Sequence, residues 1–289
     1  MNNKITLVIA LILCCIAVNA TNRALLIGIG DYPTSSGWSS IHGDDDVNKL
    51  LAPRLKEKGF VVTTLVNEQA TRAGIINTLH KFINSCKVGD CVLVHFSAHG
   101  QPFEDFNKDE RPYLYDQSIA PYDAHKSYKL GVYEGTKHIV DDELSHYFQQ
   151  LKNQLGNNGE LFITIDVCNS DGMARNEEIN PMHCDSIEIE RGSEYAFKFY
   201  GNAHSIKLIP PAKLKGGAPM TIVCACQKNE KNYEYKISPG EIYGTLSYQM
   251  SKLISYNIDF NYWATIFEKR KYNPKYFDNR NIHPTINRY

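Results

Sequence analysis

Two segments of the 289-residue sequence end an apolar run with a side chain that can take part in catalysis. Residues 92–96 are followed within three positions by His99, and residues 161–167 lead directly to Cys168. Apolar, partly β-branched runs of this length predict buried strands. Each segment therefore presents one reactive side chain at a strand end.

A thiol and an imidazole that the fold brings together are the minimum for nucleophilic catalysis by cysteine. The thiolate attacks a carbonyl carbon, and the imidazole protonates the leaving amine and later activates water. Alone, a cysteine after an apolar strand is usually an inert buried thiol, and a lone histidine there is usually structural. Because open α/β sheets place their sites at the carboxyl ends of the strands, His99 and Cys168 together favour catalysis.

The elements that must position this pair alternate along the chain. Strands are predicted at residues 23–30, 60–66, 91–96, 161–167 and 221–226. Helices are predicted at residues 44–58, 71–86, 141–155 and 243–255, the last being the final clear helix. This alternation predicts an α/β fold, a three-layer αβα sandwich with a mostly parallel sheet. The polar stretch from Gln101 to Tyr133 predicts an irregular segment outside the core, near the mouth of the site.

Charge and motif content exclude several classes of function. The sequence holds 31 Lys and Arg against 32 Asp and Glu, so nothing predicts an electrostatic grip on nucleic acid. Gly28 and Gly30 follow an apolar run as in a dinucleotide-binding turn, but Pro33 and a Ser-rich turn occupy the place of the required helix. None of the cysteine spacings resembles a zinc site.

The first 20 residues predict a secretory signal peptide. Lys4 precedes an apolar stretch at residues 5–18, and Val18, Asn19 and Ala20 form a small-residue cleavage pattern. An uncleaved anchor is the alternative, and a membrane is an expected partner only in that case. We therefore expect a chain exported to the secretory pathway, the periplasm or the medium, with one α/β domain from residue 21 to residue 289.

Cysteine usage does not predict a disulfide framework. Six cysteines follow the signal segment: Cys86, Cys91, Cys168, Cys184, Cys224 and Cys226. If Cys168 is a free nucleophile, five remain, and at least one more is unpaired. Cys86 and Cys91 are spaced to close a small loop, whereas Cys224 and Cys226 alternate along a strand and are not expected to bond each other.

The motifs around the two reactive residues resemble those of the metacaspases and related caspase-like cysteine peptidases. Residues 96–101 (FSAHGQ) and 166–170 (DVCNS) resemble the forms F/Y-S-G-H-G and D-x-C-H-S-G. Further matches follow the family's order at residues 45–47, 59–60, 67–72, 89–90, 121–123, 139–144, 221–227, 233–234 and 244–248. The resemblance covers residues 23–256. It implies a caspase-like fold with a large-subunit-like part at 21–175, a variable segment at 176–218 and a small-subunit-like part at 219–289.

The resemblance also implies roles for individual residues in catalysis. Cys168 matches the nucleophile and His99 the general acid and base. The backbone N–H groups of Gly100 and Cys168 match the donors that stabilise the oxyanion of the tetrahedral intermediate. The implied activity is that of a cysteine endopeptidase.

Three more positions match the primary specificity pocket of the family: Asp46, Ser97 and Asp166. Two carboxylates in a pocket select a cationic side chain, because an acidic one would meet like charge there. The implied partner is a polypeptide with Arg or Lys before the scissile bond. Without the resemblance, the sequence would predict only that Asp46 is a charged residue at a helix N-terminus and that Asp166 is a polar residue at a strand end.

A metal is implied less directly. Asp141 and Asp142 match a pair that binds calcium in many metacaspases, and carboxylate oxygens suit that ion. Arg175 stands where a third acid is expected, and a first-turn Asp pair is also an ordinary capping arrangement. We therefore expect no required cofactor, with Ca²⁺ as the candidate ligand of this pair.

The sequence departs from the family at a few positions and leaves two alternatives open. Ala98, Asn169 and Asp171 replace the usual Gly, His and Gly, and the Q-A-C-x-G pentapeptide of aspartate-specific caspases is absent. A clostripain-like or gingipain-like arginine peptidase would use the same Cys-His pair. An inactive pseudo-peptidase that acts as a binding module would keep the fold without turnover.

Overall fold

A six-stranded sheet forms the centre of the computed structural model, which describes residues 20–105, 108, 115–167, 197, 210–226, 232–271 and 285–289. The strands of the described residues are β1 Asn22–Gly28, β2 Val61–Val66, β3 Cys91–Ser97, β4 Gly100–Glu104, β5 Tyr115–Ile119, β6 Ile139–Val140, β7 Glu160–Asp166, β8 Met220–Cys224, β9 Glu234–Ser238, β10 Glu241–Gly244 and β11 Thr285–Arg288. The order of strands in the central sheet is β11-β8-β7-β3-β1-β2, and β11 is antiparallel to β8 while the other neighbours are parallel.

Helices cover both faces of this sheet. They are α1 Gly43–Asp45, α2 Ala52–Glu57, α3 Arg72–Ser85, α4 Asp141–Leu155, α5 Thr245–Tyr256 and α6 Phe260–Lys271. One hydrophobic core joins α3 and α4 to the sheet, and a second joins α2, α5 and α6 to the opposite face. Alternate residues of the strands serve the two cores: Leu25 and Ile27 face the first, and Ala24 and Leu26 the second. The predicted three-layer αβα architecture is confirmed.

The helix predicted at residues 44–58 forms over nearly that length but is not uniform. A π-helical turn, Asp46–Leu51, joins α1 to α2, and the N–H of Ala52 bonds to the carbonyl of Val47. Pro53 lies just after this turn and has no N–H to donate, and its ring would crowd a carbonyl in the preceding turn of a regular α-helix. We attribute the π turn to this proline, which the sequence prediction placed inside a regular helix.

The prediction for residues 101–133 is wrong for much of that stretch. The strands β4, β5 and β6 form a three-stranded antiparallel sheet. Gln101, Gln117 and Ser118 are each 1% exposed, and Phe103 is 3% exposed. Ser118 is tolerated there because its hydroxyl donates a hydrogen bond to the carbonyl of Gln101 at 2.8 Å. Composition alone did not reveal these pairings.

The prediction that the helix at residues 243–255 is the last one is also wrong, because α6 follows it. Its buried residues Phe260, Trp263, Ala264 and Phe267 recur at helical spacing. Asp259 accepts a hydrogen bond from the N–H of Tyr262 at 2.8 Å and caps the helix start. Both signals were readable in the sequence.

Among the described residues, Cys86 and Cys91 are free thiols, so the small loop expected between them is not closed. Cys224 and Cys226 do not bond each other, as expected. Burial raises the pKa of the Cys86 thiol to about 11, which keeps it protonated and inert. Among the described residues, no helix is both long and apolar enough to cross a bilayer.

Asp90 links the amino-terminal ends of β1 and β3, two strands that lead to the candidate site. Its side chain is fully buried and accepts hydrogen bonds from the N–H groups of Thr21 (2.9 Å) and Lys87 (2.9 Å) and from Arg23 Nε (2.7 Å). Burial by itself raises the pKa of Asp90, but these donors together hold it below the usual value. The carboxylate form therefore stabilises the folded state.

We expect Asp90→Asn to lower the free energy of unfolding at pH 7 by roughly 1.5–3 kcal/mol, the range for hydrogen bonds to a charged group. Because the folded-state pKa is depressed, the wild-type advantage is present above the unfolded pKa of about 3.9 and is lost as the pH falls through the folded value. Urea unfolding of both proteins between pH 7 and pH 3 measures this difference. Asp45→Asn, which breaks an exposed pair with Lys49, is the control. A difference that does not shrink with acid would contradict this role for Asp90.

Candidate active site

The carboxyl ends of three neighbouring strands lie side by side at one edge of the sheet. In the ladder, Gly28 of β1 pairs with Ser97 of β3, and Ser97 pairs with Asp166 of β7. The strands that precede His99 and Cys168 in the sequence therefore end side by side. This is the edge at which the sequence predicted the site.

The main chain of His99 is held on both sides. Its N–H donates to the hydroxyl of Tyr32 at 3.1 Å, and its carbonyl accepts from the N–H of Ala120 at 2.9 Å. The Tyr32 hydroxyl in turn donates to the carbonyl of Ala120 at 2.8 Å. Gly100, the next residue, begins β4 and is buried. The candidate base thus lies in a rigid junction between two sheets.

The imidazole of His99 has a defined orientation. Its Nε2 lies 2.8 Å from the carbonyl oxygen of Ser39, and a carbonyl oxygen only accepts, so Nε2 carries the hydrogen. In the neutral ring, Nδ1 is then the nitrogen with the lone pair that can take up a proton. Trp38 stacks on the ring with a centroid distance of 4.7 Å, and His99 is 1% exposed.

The candidate nucleophile Cys168 lies outside the described residues. The preceding residue, Val167, is fully buried, and its carbonyl accepts a contact of 3.5 Å from the thiol of Cys226. The N–H of Ala225 bonds to the carbonyl of Ile165 at 2.9 Å, so the chain is held at the same sheet edge up to this point. The predicted nucleophile and its oxyanion donor remain predictions.

Asp46 reaches this edge because the helix start approaches the strands closely. A Cβ on Gly43 would lie 2.5 Å from the carbonyl oxygen of Ser97, and one on Gly28 would lie 2.2 Å from that of Gly43. Only glycine fits such an approach. The buried Asp46 carboxylate then accepts from the Ser97 hydroxyl at 2.7 Å and from the N–H of Gly244 at 2.9 Å.

Asp166 is held by donors from the carboxyl-terminal third of the chain. Its Oδ1 accepts from the side-chain amide of Asn232 at 2.6 Å. Its Oδ2 accepts from the N–H of Ser247 at 2.8 Å and from the hydroxyl of Ser247 at 2.6 Å. Ser247 lies in the first turn of α5, whose N-terminal dipole also favours the negative charge.

A second buried histidine completes this network. Because the Ser247 hydroxyl donates its hydrogen to Asp166, it accepts from Nε2 of His95 at 3.2 Å. The Nδ1 of His95 then accepts from the hydroxyl of Thr164 at 2.7 Å. The direction of each hydrogen bond is fixed by the carboxylate at the end. His95 supports Asp166 and is not the candidate base.

The structure brings the predicted pocket residues together: Asp46 bonds to Ser97, and Ser97 is the ladder neighbour of Asp166. Asp46 and Asp166 both have 0% exposure. A further pair, Nδ1 of His42 with Glu234 at 2.6 Å, links the helix start to β9. The helix that carries Asp46 is therefore attached to the segment that carries Asn232.

The predicted metal pair also acquires a third acid. One carboxylate oxygen from each of Asp116, Asp141 and Asp142 lies within 4.8 Å of the others, and all three residues are buried. The N–H of Gln117 donates to Asp141 at 3.2 Å. Asp116 comes close because β5 pairs antiparallel with β6, directly before α4.

Sequence reasoning missed several residues of this site. Asp116 was overlooked because its partners lie more than 20 positions away and depend on a strand pairing. Ser247 and Asn232 were overlooked because Ser and Asn carry no chemical signature of their own. Trp38 had a readable signal, since an aromatic residue in a polar Ser-rich loop needs something to pack against.

Comparison with known proteins identifies the family. The profile of the caspase domain family, Peptidase C14, matches residues 21–268. The chain therefore belongs to the caspase domain family, a family of cysteine-type peptidases, and the predicted family is confirmed.

Curated relatives include several metacaspases. Metacaspase-2 of Trypanosoma brucei brucei is 32% identical over 162 residues, which are 52% of this chain and 42% of that protein. Metacaspase-7 of Arabidopsis thaliana is 28% identical over 194 residues, 64% of this chain and 44% of that protein. The chain thus spans less than half the length of these relatives.

Solved structures support the fold. Protein GSU0716 from Geobacter sulfurreducens superposes with a TM-score of 0.58 at 18% identity and covers 93% of this chain and 92% of that one. Caspase-1 from Spodoptera frugiperda superposes with a TM-score of 0.50 at 14% identity, with 93% and 88% covered. These likenesses confirm the caspase-like fold.

Proposed function

We propose that this chain is an endopeptidase that uses Cys168 as nucleophile and His99 as general base and acid. The observation that carries the proposal is the orientation of His99. Its Nε2 is bound to the Ser39 carbonyl, so its Nδ1 is the proton-accepting nitrogen. Its segment leaves the sheet beside the strand that leads to Cys168. A base oriented by a third group next to the nucleophile's segment is the general arrangement of thiol catalysis.

The proposed reaction follows from these roles. Nδ1 of His99 takes the thiol proton, and the thiolate attacks the carbonyl carbon of the scissile peptide. The backbone N–H groups of Gly100 and Cys168 stabilise the oxyanion. The imidazolium gives its proton to the leaving amine, which leaves a thioester on Cys168. His99 then accepts a proton from water, which attacks the thioester and releases the acid.

We propose Arg or Lys before the scissile bond, on the basis of the two pocket carboxylates. Asp46 and Asp166 are both fully buried, and hydroxyl, amide and backbone N–H donors hold their carboxylates at the carboxyl edge of the sheet. Buried negative charge favours a cationic ligand and disfavours an acidic one. An arginine peptidase of the clostripain or gingipain type would share this preference, and a pseudo-peptidase would bind such a peptide without cleaving it.

We expect Cys168→Ala to abolish hydrolysis of a peptide with Arg before the scissile bond, and His99→Ala to lower kcat/KM by roughly 10³-fold or more. Steady-state kinetics with purified protein measure both effects. Cys91→Ala and His80→Ala are the controls, because Cys91 begins β3 at its amino end and His80 is exposed on α3. Activity retained in Cys168→Ala would refute the proposed nucleophile. A wild-type protein that binds the peptide without cleaving it would be a pseudo-peptidase.

We expect the wild type to prefer Arg over citrulline, which has nearly the same shape without the charge, at the position before the scissile bond. Asp46→Asn and Asp166→Asn should each reduce this preference by roughly 30-fold or more, since an unpaired buried charge costs about 2–5 kcal/mol. The ratio of kcat/KM for the two substrates on one protein cancels any loss of folded enzyme. Asp31→Asn, an exposed position, is the control. A wild type that prefers Asp or an apolar residue would contradict the pocket assignment.

We also propose that the acid cluster Asp116, Asp141 and Asp142 binds Ca²⁺. Three buried carboxylates this close repel one another unless a cation or protons neutralise them. Oxygen donors of this kind fit the preferences of calcium. The ion would neutralise the negative charge of the carboxylates at the start of α4 and would hold β5 against this helix.

We expect Ca²⁺ to raise the thermal midpoint of the wild type, because a ligand that binds the folded state stabilises it. Asp141→Asn and Asp116→Asn should weaken Ca²⁺ binding by about tenfold or more and remove most of that rise. Calorimetric titration and thermal unfolding measure the two effects, with Asp31→Asn as the control. An equal rise in all four proteins would place calcium elsewhere.

Export is the remaining part of the proposal. Its support is the apolar stretch at residues 5–18 with the cleavage pattern that ends at Ala20. The N-terminal sequence of the mature protein would begin at Thr21 if the segment is cut as proposed. An uncleaved segment would instead leave the chain attached to a membrane.

A further inference from the structure

The imidazole of His99 lies flat against an indole. The ring centroids of His99 and Trp38 are 4.7 Å apart and the ring planes differ by 17°. Trp38 is 5% exposed and His99 is 1% exposed, so the contact is shielded from water. Ser39, the residue after Trp38, supplies the carbonyl that binds Nε2 at 2.8 Å. One dipeptide therefore contacts both the face and the edge of the imidazole.

The loop that carries this dipeptide is fixed independently of His99. Gly37 has φ of +79°, a conformation that glycine adopts without strain, and it turns the chain toward the histidine. The hydroxyl of Ser36 accepts from the N–H of Trp38 at 3.2 Å, and the carbonyl of Ser36 accepts from the N–H of Lys126 at 2.8 Å. The turn that presents the indole is thus held by hydrogen bonds that do not involve the imidazole.

A stacked indole distinguishes the two protonation states of an imidazole. The face of an aromatic ring carries partial negative charge, and tryptophan has the strongest such face. It attracts the cationic imidazolium more than the neutral ring, and shielding from water strengthens this attraction. In the proposed reaction, His99 becomes an imidazolium each time it takes a proton.

A tyrosine and a lysine also lie near the two stacked rings. The Tyr32 ring lies 5.1 Å from the imidazole, and its hydroxyl serves the backbone. The ammonium of Lys126 lies 5.4 Å from the indole centroid and is also attracted to the negative charge of the ring. The thiol of Cys168 is the proposed proton partner.

We propose that Trp38 is a positioning residue that holds the plane of His99 and stabilises its imidazolium form during turnover. This inference rests on the proposed function, in which His99 is the base. It assigns to the Ser-rich loop before α1 a part in proton transfer. None of the sequence motifs that resemble those of the metacaspases lies in this loop.

Fluorinated tryptophan separates this electrostatic role from packing, since fluorine weakens the negative ring face and changes the ring's shape little. The chain has two tryptophans, Trp38 and Trp263. Trp263 is buried in the second core, so its labelling tests for a general effect. Wild type and Trp38→Leu are both produced with mono-, di- and trifluorinated tryptophan. In the Trp38→Leu protein only Trp263 carries the label.

The measurement is the pH profile of kcat/KM on an arginyl peptide, whose acid limb reports loss of the imidazolium proton that frees His99 to act as a base. We expect that limb in the wild type to move stepwise to lower pH with added fluorine, by about half a pH unit in total. At about 1.4 kcal/mol per unit, this is about 0.7 kcal/mol. In Trp38→Leu, fluorination should leave the limb in place. A wild-type limb that does not move with fluorination would overturn the inference while leaving the peptidase activity established.

The titration of the His99 ring, followed by NMR and assigned with His99→Gln, needs no turnover and separates the two failures. If the wild type cleaves no peptide, the proposed function fails. In that case, a His99 titration midpoint that still falls with fluorination would support the proposed contact between Trp38 and the imidazolium. A midpoint that is the same for every label would contradict it.

Discussion

Two fully buried carboxylates govern the organisation of this molecule. Removing a negative charge from water is costly unless hydrogen-bond donors converge on it. Among the described residues, Ser97 and Gly244 donate to Asp46, and Asn232 and Ser247 donate to Asp166. Three of these four donors follow residue 231. The carboxyl-terminal third is therefore attached to the first part of the chain by polar bonds as well as by β8.

The parallel ladder determines where these carboxylates meet the candidate catalytic group. Gly28, Ser97 and Asp166 occupy one rung at the carboxyl edge of the sheet. His95 and Thr164 continue the polar layer one step deeper, in the face that packs on α5. His99 instead contacts Tyr32 and Trp38, which belong to the first core. The carboxylates proposed to recognise the substrate and the histidine proposed to transfer protons thus lie at the same edge of the sheet, but they are supported by different layers of the fold.

The parts of the structure that depend on local pattern were predictable from the sequence. The boundaries of α4 agree with those predicted, and the ends of β3 and β7 fall within one or two residues of them. Periodicity and strand-end position are local properties, so one segment suffices to read them. The helix α6 was predictable on the same grounds.

The parts that depend on distant pairing were not predictable in this way. Asp116 joins Asp141 only because β5 and β6 pair, and the pairing of β4 with β5 buries a polar sequence that looked irregular. Ser247 supports Asp166 across 81 positions of the chain. Such contacts follow from the topology of the whole sheet. Single motifs therefore located the candidate residues without locating the groups that hold them.

The proposed assignment is tested most directly by an irreversible arginyl acyloxymethyl ketone, followed by peptide mass spectrometry. Such a probe needs a reactive thiolate and a pocket that accepts a cation. The assignment predicts a single adduct on Cys168, which His99→Ala abolishes and a citrullyl probe forms far more slowly. An adduct on Cys86, Cys91, Cys224 or Cys226 in its place, or faster labelling by an aspartyl probe, would contradict it.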